Sequence, residues 1–150
     1  MSDRSARGAR RRARELVLQG LYQWLVARTP PAAVRAQLAE SSRFAKCDQG
    51  FFDALWSGVT QDFDPLLAAL RPFVDRPIEQ VSPIEKAVLT IGAWELERCP
   101  ETPYRVAINE AVELAKAYGG TDGHKYVNGV LDKLALATRA AEFGAAPAAG

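Results

Sequence analysis

Between residues 10 and 139 the apolar side chains recur every three or four positions, and the rhythm breaks at Pro and Gly. That spacing lays apolar groups along one side of a helix, whereas a half-buried strand needs alternation at every second residue, which is almost wholly missing. The chain therefore reads as all-α, a single compact domain of about seven helices. At 150 residues it can bury a core of its own.

The helix ends can be placed from capping chemistry. The first helix is predicted from near Arg10 to about Ala27, with Val17, Gly20, Leu21 and Trp24 on its buried stripe. Thr29-Pro30-Pro31 ends it and opens a short helix through Leu38, and Ser41 to Asp48 reads as a loop. A third helix carries Phe51, Phe52, Leu55, Trp56 and Val59; Asp64-Pro65 supplies a cap and first turn for a fourth with Leu66, Leu67 and Leu70. Ser82-Pro83-Ile84-Glu85 is the clearest boundary, a capping box that opens a helix to about Arg98 with Ile84, Val88, Ile91 and Trp94 for burial. Pro100 and Pro103 break the chain. The next helix holds Ile108, Ala111, Val112 and Ala115 and stops at Gly119-Gly120. The last begins near Asp122 and buries Val127, Val130, Leu131 and Leu134. Residues 1–9 read as a basic flexible arm, 10–139 as the helical domain and 140–150 as a disordered Ala/Gly/Pro tail.

The net charge of +1 conceals a segregation. Arg4, Arg7, Arg10, Arg11, Arg12 and Arg14 face only Asp3 within the first 14 residues, which leaves that stretch at +5 and the rest of the chain at −4. A basic segment on a mildly acidic body suits a polyanion, and it equally suits a merely solvated arm. Apolar runs fall far short of the roughly 20 residues that span a bilayer, and no apolar signal core follows the basic start, so a cytoplasmic location is expected. Cys47 and Cys99 stand far apart, which argues for a reducing compartment and against a disulfide framework or zinc site.

Catalysis finds little to work with. His124 is the one histidine, no HExxH or Gly-rich phosphate loop is present, and Glu110 and Glu113 read as solvated neighbours on one helix. No enzyme, metal or cofactor is expected. Binding is better supported. The first helix carries a second apolar stripe, Leu18, Tyr22 and Val26, which implies either a fully central helix or one with a partner on its outer side. Asp122, His124, Lys125, Tyr126 and Asn128 crowd a loop and the first turns of a helix. There Tyr126 could stack on an unpaired base, or simply flank the core.

The run Pro103-Tyr104-Arg105-Val106-Ala107-Ile108-Asn109-Glu110-Ala111-Val112-Glu113-Leu114-Ala115-Lys116 resembles a hallmark of the NusB family. So do His124-Lys125-Tyr126-Val127-Asn128-Gly129-Val130-Leu131-Asp132-Lys133, Glu85-Lys86-Ala87-Val88-Leu89 and the Arg-rich opening Arg10-Arg11-Arg12-Ala13-Arg14-Glu15. The resemblance covers roughly residues 8 to 135; Thr29 to Gln49 match poorly, and the chain after Ala135 matches nothing. It implies an all-helical fold in two packed helical halves that binds boxA of nascent RNA together with ribosomal protein NusE. It also implies a larger antitermination complex with NusA, NusG and RNA polymerase, notably on ribosomal RNA operons, and it allows a homodimer. Carried onto this chain, Arg7, Arg10, Arg11, Arg12 and Arg14 would face RNA with Asp122, His124, Lys125 and Tyr126, while Leu18, Tyr22, Val26 and Glu85 would face NusE. Glu85 then has two candidate roles, helix cap and partner contact.

Two other readings remain at this point. One is the NusB-like domain of a ribosomal RNA methyltransferase, which the absence of a following catalytic domain disfavours. The other is a helical adaptor that binds protein only, which the +5 segment disfavours.

Overall fold

The computed structural model describes residues 3–120 and 122–144, and among them there is no strand. The chain divides into two compact units, Met1–Phe63 and Asp64–Gly150.

In the first unit α1 (Asp3–Tyr22) runs on into a π-helical turn (Gln23–Ala27), followed by α2 (Pro31–Ala39), a 3-10 turn (Phe44–Lys46) and α3 (Gln49–Gln61). The helix begins at Asp3 rather than near Arg10, so residues 3–9 of the expected arm are helical. Arg and Ala are strong helix formers, and the Asp48 N–H donates to the Ala9 carbonyl at 3.0 Å, tying that stretch to the body of the unit. The far end falls where the sequence puts it: Arg28 takes a left-handed φ of 60° just before Thr29-Pro30.

α1 packs against α2, α3 and the 44–46 turn, burying Leu16, Val17, Leu18 and Leu21. Gly20 makes the approach possible. A Cβ there would lie 2.8 Å from both Leu38 Cδ1 and the Trp56 ring. Because α1 is enclosed on several sides, its second apolar stripe does not face outward as a unit. Leu18 is core at 1% exposure, while Tyr22 at 42% and Val26 at 49% stand in solvent. The expectation of Leu18 as a partner contact is therefore corrected: it shares helical spacing with Tyr22 but not its surroundings.

The second unit takes in α4 (Phe63–Leu70) from its second residue, 3-10 turns at Arg71–Phe73 and Ile78–Gln80, α5 (Pro83–Arg98), α6 (Tyr104–Tyr118), α7 (Gly123–Thr138) and α8 (Ala140–Gly144). α5 is buried at every position from Ala87 to Leu96 and packs against both α6 and α7. Its start follows the capping chemistry: Ser82 Oγ accepts from the Glu85 N–H at 3.2 Å, with Pro83 in the first turn. α4 starts two residues earlier than expected, at Phe63 instead of Pro65, so Asp64 lies in its first turn instead of capping it.

Residues 140–144, expected as disordered tail, form α8; the tail's remainder, 145–150, lies outside the described residues. Arg139, 7% exposed, precedes α8 and reaches back to α5. Its guanidinium donates to the carbonyls of Leu96 at 2.7 Å, Glu95 at 3.1 Å and Cys99 at 2.8 Å, and pairs with Glu142. The last carbonyls of a helix lack partners within it, so one buried cation caps the end of α5. Glu142 in turn accepts from the Tyr104 N–H at 3.3 Å at the start of α6, where Pro103 offers no side-chain cap. The Phe143 ring lies 4.3 Å from that of Tyr104.

Candidate nucleic-acid interface

The arginines of α1 do not form one set. Asp48 caps α3 by accepting from the Phe51 N–H at 3.0 Å through Oδ1, and its other oxygen lies 3.5 Å from Arg10 Nε. The Arg10 guanidinium is 4.7 Å from the centre of the Phe51 ring, and Arg14, one turn on, is 5.0 Å from the same centre. Arg14 is 3% exposed. Two of the five α1 arginines expected at RNA thus hold α1 to α3 through cation–π contact. For Arg14 the surface role is corrected, because a buried guanidinium over Phe51 cannot meet a phosphate. Arg7, Arg11 and Arg12 are exposed.

Arg12 also lines an open groove of about 870 Å³, bordered by Ser5, Ala6, Gly8 and Ala9 of α1 and by Ala45 to Asp48. Further along, α1 ends in the π-helical turn that carries exposed Val26 one turn beyond exposed Tyr22. Trp24, expected in the core stripe, is half-buried, edge-on to Phe63 at 5.1 Å.

In the second unit the start of α7 brings Asp122, His124, Lys125 and Tyr126 together. Asp122 and Lys125 are exposed and 3.7 Å apart, a pair of little energetic weight in open water. His124 is half-buried. Tyr126 is not a bare platform. The Arg76 guanidinium lies 4.5 Å over its ring, and Asp75 holds Arg76 in place at 2.8 Å. The Tyr126 hydroxyl is buried beside Asp75. Burial first, then the nearby Asp75 charge, pushes the phenol above its ordinary range, while the Arg76 side chain bonded to Asp75 draws that carboxyl below its own.

Glu85 is half-buried at the start of α5. Its backbone N–H receives the Ser82 cap, while a Cβ built on Gly123 would come within 3.0 Å of its Oε2. The carboxylate therefore lies against the first residue of α7, where the N-terminal end of the helix dipole favours negative charge. Arg76, Asp75, Phe51 and Asp48 were not visible as site residues in the sequence. Each acts on a residue 35 or more positions away, apart from the local Arg76–Asp75 pair and the Asp48 cap, and only the cap had a local signal, an Asp just before an apolar run.

Unpaired cations beside a groove, an exposed Tyr–Val pair and an arginine-covered aromatic at a helix start define a helical binding protein of the kind that meets a polyanion and a protein partner. A family model described as the NusB family matches residues 11–136, and the chain belongs to that family. The transcription antitermination protein NusB of Ralstonia pickettii (strain 12J) is 54% identical over 140 residues, 93% of this chain and 90% of that protein. Its counterpart in Nitrosospira multiformis is 57% identical over 132 residues, 88% of this chain and 84% of that protein. Among solved structures, T. maritima NusB superposes with a TM-score of 0.74 at 24% identity, over 83% of this chain and 89% of its own. A crystal structure of the antitermination factors NusB and NusE in complex with dsRNA gives 0.73 at 20% identity, over 85% and 96% respectively. These last two likenesses bear on the fold.

Proposed function

We propose that this chain is a transcription antitermination protein that binds boxA of nascent RNA together with ribosomal protein NusE. In the cytoplasm it joins NusA, NusG and RNA polymerase, notably on ribosomal RNA operons, and it acts by binding rather than by catalysis. Family membership over residues 11–136, curated relatives that carry the antitermination name, and a neighbour in fold solved with NusE and dsRNA support this reading. The observation that carries it is the sorting of α1: structural arginines turned in, other arginines and Tyr22 turned out. Among the described residues no helix is long and apolar enough to cross a membrane.

Arg7, Arg11 and Arg12 contact phosphate, and His124, Lys125 and Tyr126 meet RNA at the start of α7. Tyr126 stacks a base on the side away from Arg76, with Asp122 orienting Lys125. Tyr22 and Val26 dock NusE. Tyr22→Ala removes an exposed aromatic anchor and should cost about 2 kcal/mol or more of NusE binding with an unchanged melting temperature. Calorimetric titration of NusE into both proteins checks this, and an unfolded variant would make Tyr22 a core residue. Tyr126→Ala should lose about 1–3 kcal/mol of RNA binding, the range for one stacked base, while Tyr126→Phe stays near wild type. Equal losses from both would assign the effect to the hydroxyl. A gel shift of boxA RNA with and without NusE tests the whole: binding that NusE strengthens is expected, and no binding of either would end the proposal.

A further inference from the structure

Resting on the RNA-binding reading above, we propose that Lys46 and Arg12 form opposite walls of a groove that takes the phosphodiester backbone of single-stranded RNA. The contact surface of the first unit then extends beyond α1 to the turn that precedes α3.

The groove supplies room. Its volume is about 870 Å³, toward the upper end of the roughly 300–1,000 Å³ typical of ligand sites. On the α1 side it is lined by Ser5, Ala6, Gly8 and Ala9, side chains short enough for a sugar-phosphate chain to approach the helix. Arg12 lies low along this wall, since a Cβ built on Gly8 would be 3.5 Å from its Nη1.

Charge points the same way. Among the described residues Arg12 and Lys46 make no ion pair, whereas Arg10 is engaged by Asp48 and Phe51. Asp48 is the carboxylate on the groove's edge, and it is already committed to Arg10 and to the α3 cap. Cys47 adds no charge: burial first, then the Asp48 charge, raises its thiol and keeps it protonated near neutral pH. Among the described residues, what remains is a groove with two uncompensated cations, the arrangement that tracks a single strand by its backbone.

The backbone under Lys46 is fixed while its side chain is free. The Cys47 N–H donates to the Phe44 carbonyl at 3.2 Å, the Asp48 N–H to the Ala9 carbonyl at 3.0 Å, and both Phe44 and Cys47 are buried. A flexible four-carbon stem on a fixed base lets an ammonium follow phosphate without imposing a base geometry.

The test is fluorescence anisotropy of the full chain with a boxA-type single strand and a scrambled strand across a salt series. The variants are Lys46→Gln, Arg12→Gln, the pair, and Lys46→Arg. Each Gln should flatten the slope of log affinity against log salt by about 0.7, roughly a fivefold loss at about 0.1 M salt, and equally for both RNAs. The pair should flatten it by about 1.4, and Lys46→Arg should match wild type. A wild-type slope for Lys46→Gln overturns the proposal, as does a loss confined to one RNA. So does a double variant that changes only the self-association seen in sedimentation, which would give the groove to a second copy of the chain. A wild-type protein that binds neither RNA removes the RNA-binding reading along with it.

Discussion

Each unit buries a guanidinium, and the two are held by different physics. In the first, Arg14 lies buried with its guanidinium over the Phe51 ring. In the second, Arg139 is surrounded by backbone carbonyls and a carboxylate. The ring under Arg14 loses little if the cation goes. Of the carbonyls around Arg139, that of Glu95 also accepts from the Cys99 N–H and that of Cys99 from the Thr102 N–H, so removal falls hardest on the Leu96 carbonyl, and a buried acceptor left unsatisfied bears the full cost of its desolvation. Burial alone therefore does not rank these residues; what each leaves behind when removed does.

The largest separation should come from Arg139→Ala. Taking a charged donor from three buried carbonyls, of which Leu96 keeps no other among the described residues, and from Glu142 should cost about 3–5 kcal/mol in urea denaturation, the scale of breaking a buried charged network. Arg139→Lys should recover only part of this, because a point charge cannot fork to several carbonyls. A loss under about 1 kcal/mol for Arg139→Ala would mean that water replaces the guanidinium freely and that the comparison fails.

Arg14→Gln should cost less, about 1–2 kcal/mol, through lost packing and cation–π contact with Phe51. It should leave the salt slope of RNA binding unchanged, unlike Arg12→Gln. A flattened slope would return Arg14 to the RNA surface.

The smallest effect sharpens the contrast by pH. The side-chain bond from Arg139 holds the Glu142 carboxyl below its ordinary value of 4.5. A folded-state pKa below the unfolded one means that the contribution is fully present above 4.5 and fades as pH falls through the acid range beneath it. The Phe51 ring does not titrate. Protection of the Tyr104 amide proton, which Glu142 accepts, should therefore fall in acid before that of amides in the middle of α3, beyond the Asp48 cap. Parallel loss in both units would show that acid acts on something other than Glu142.

These arginines also mark where the sequence was legible. Ser82-Pro83 and Gly119 announced the ends of α5 and α6 because a cap is read within a few residues of itself. The all-helical class followed from the apolar period, whereas the second stripe left open whether Tyr22 and Val26 would be buried or exposed. Arg14 looked like its neighbours in an Arg-rich run, since nothing local reveals a ring 37 residues onward that covers it. Leu18 matched Tyr22 in spacing, and only the packing of α2, α3 and the 44–46 turn around α1 separates them. α8 was invisible for a similar reason. Ala140 to Gly144 is too short to show an apolar period, and its order comes from partners on α5 and α6.

The reach of Arg139 has a consequence for the chain as it is made. The residue lies 43 positions after the Leu96 carbonyl that it satisfies. At roughly 5–20 residues per second of synthesis, α5 leaves the ribosome about 2–9 s before its cap exists. During that interval the Leu96 carbonyl lacks the guanidinium that meets it in the fold, and the start of α6 lacks Glu142. The end of α5 gains its cation only once translation has delivered Arg139, so a ribosome that stalls between Cys99 and Arg139 would hold out a helix bundle without it.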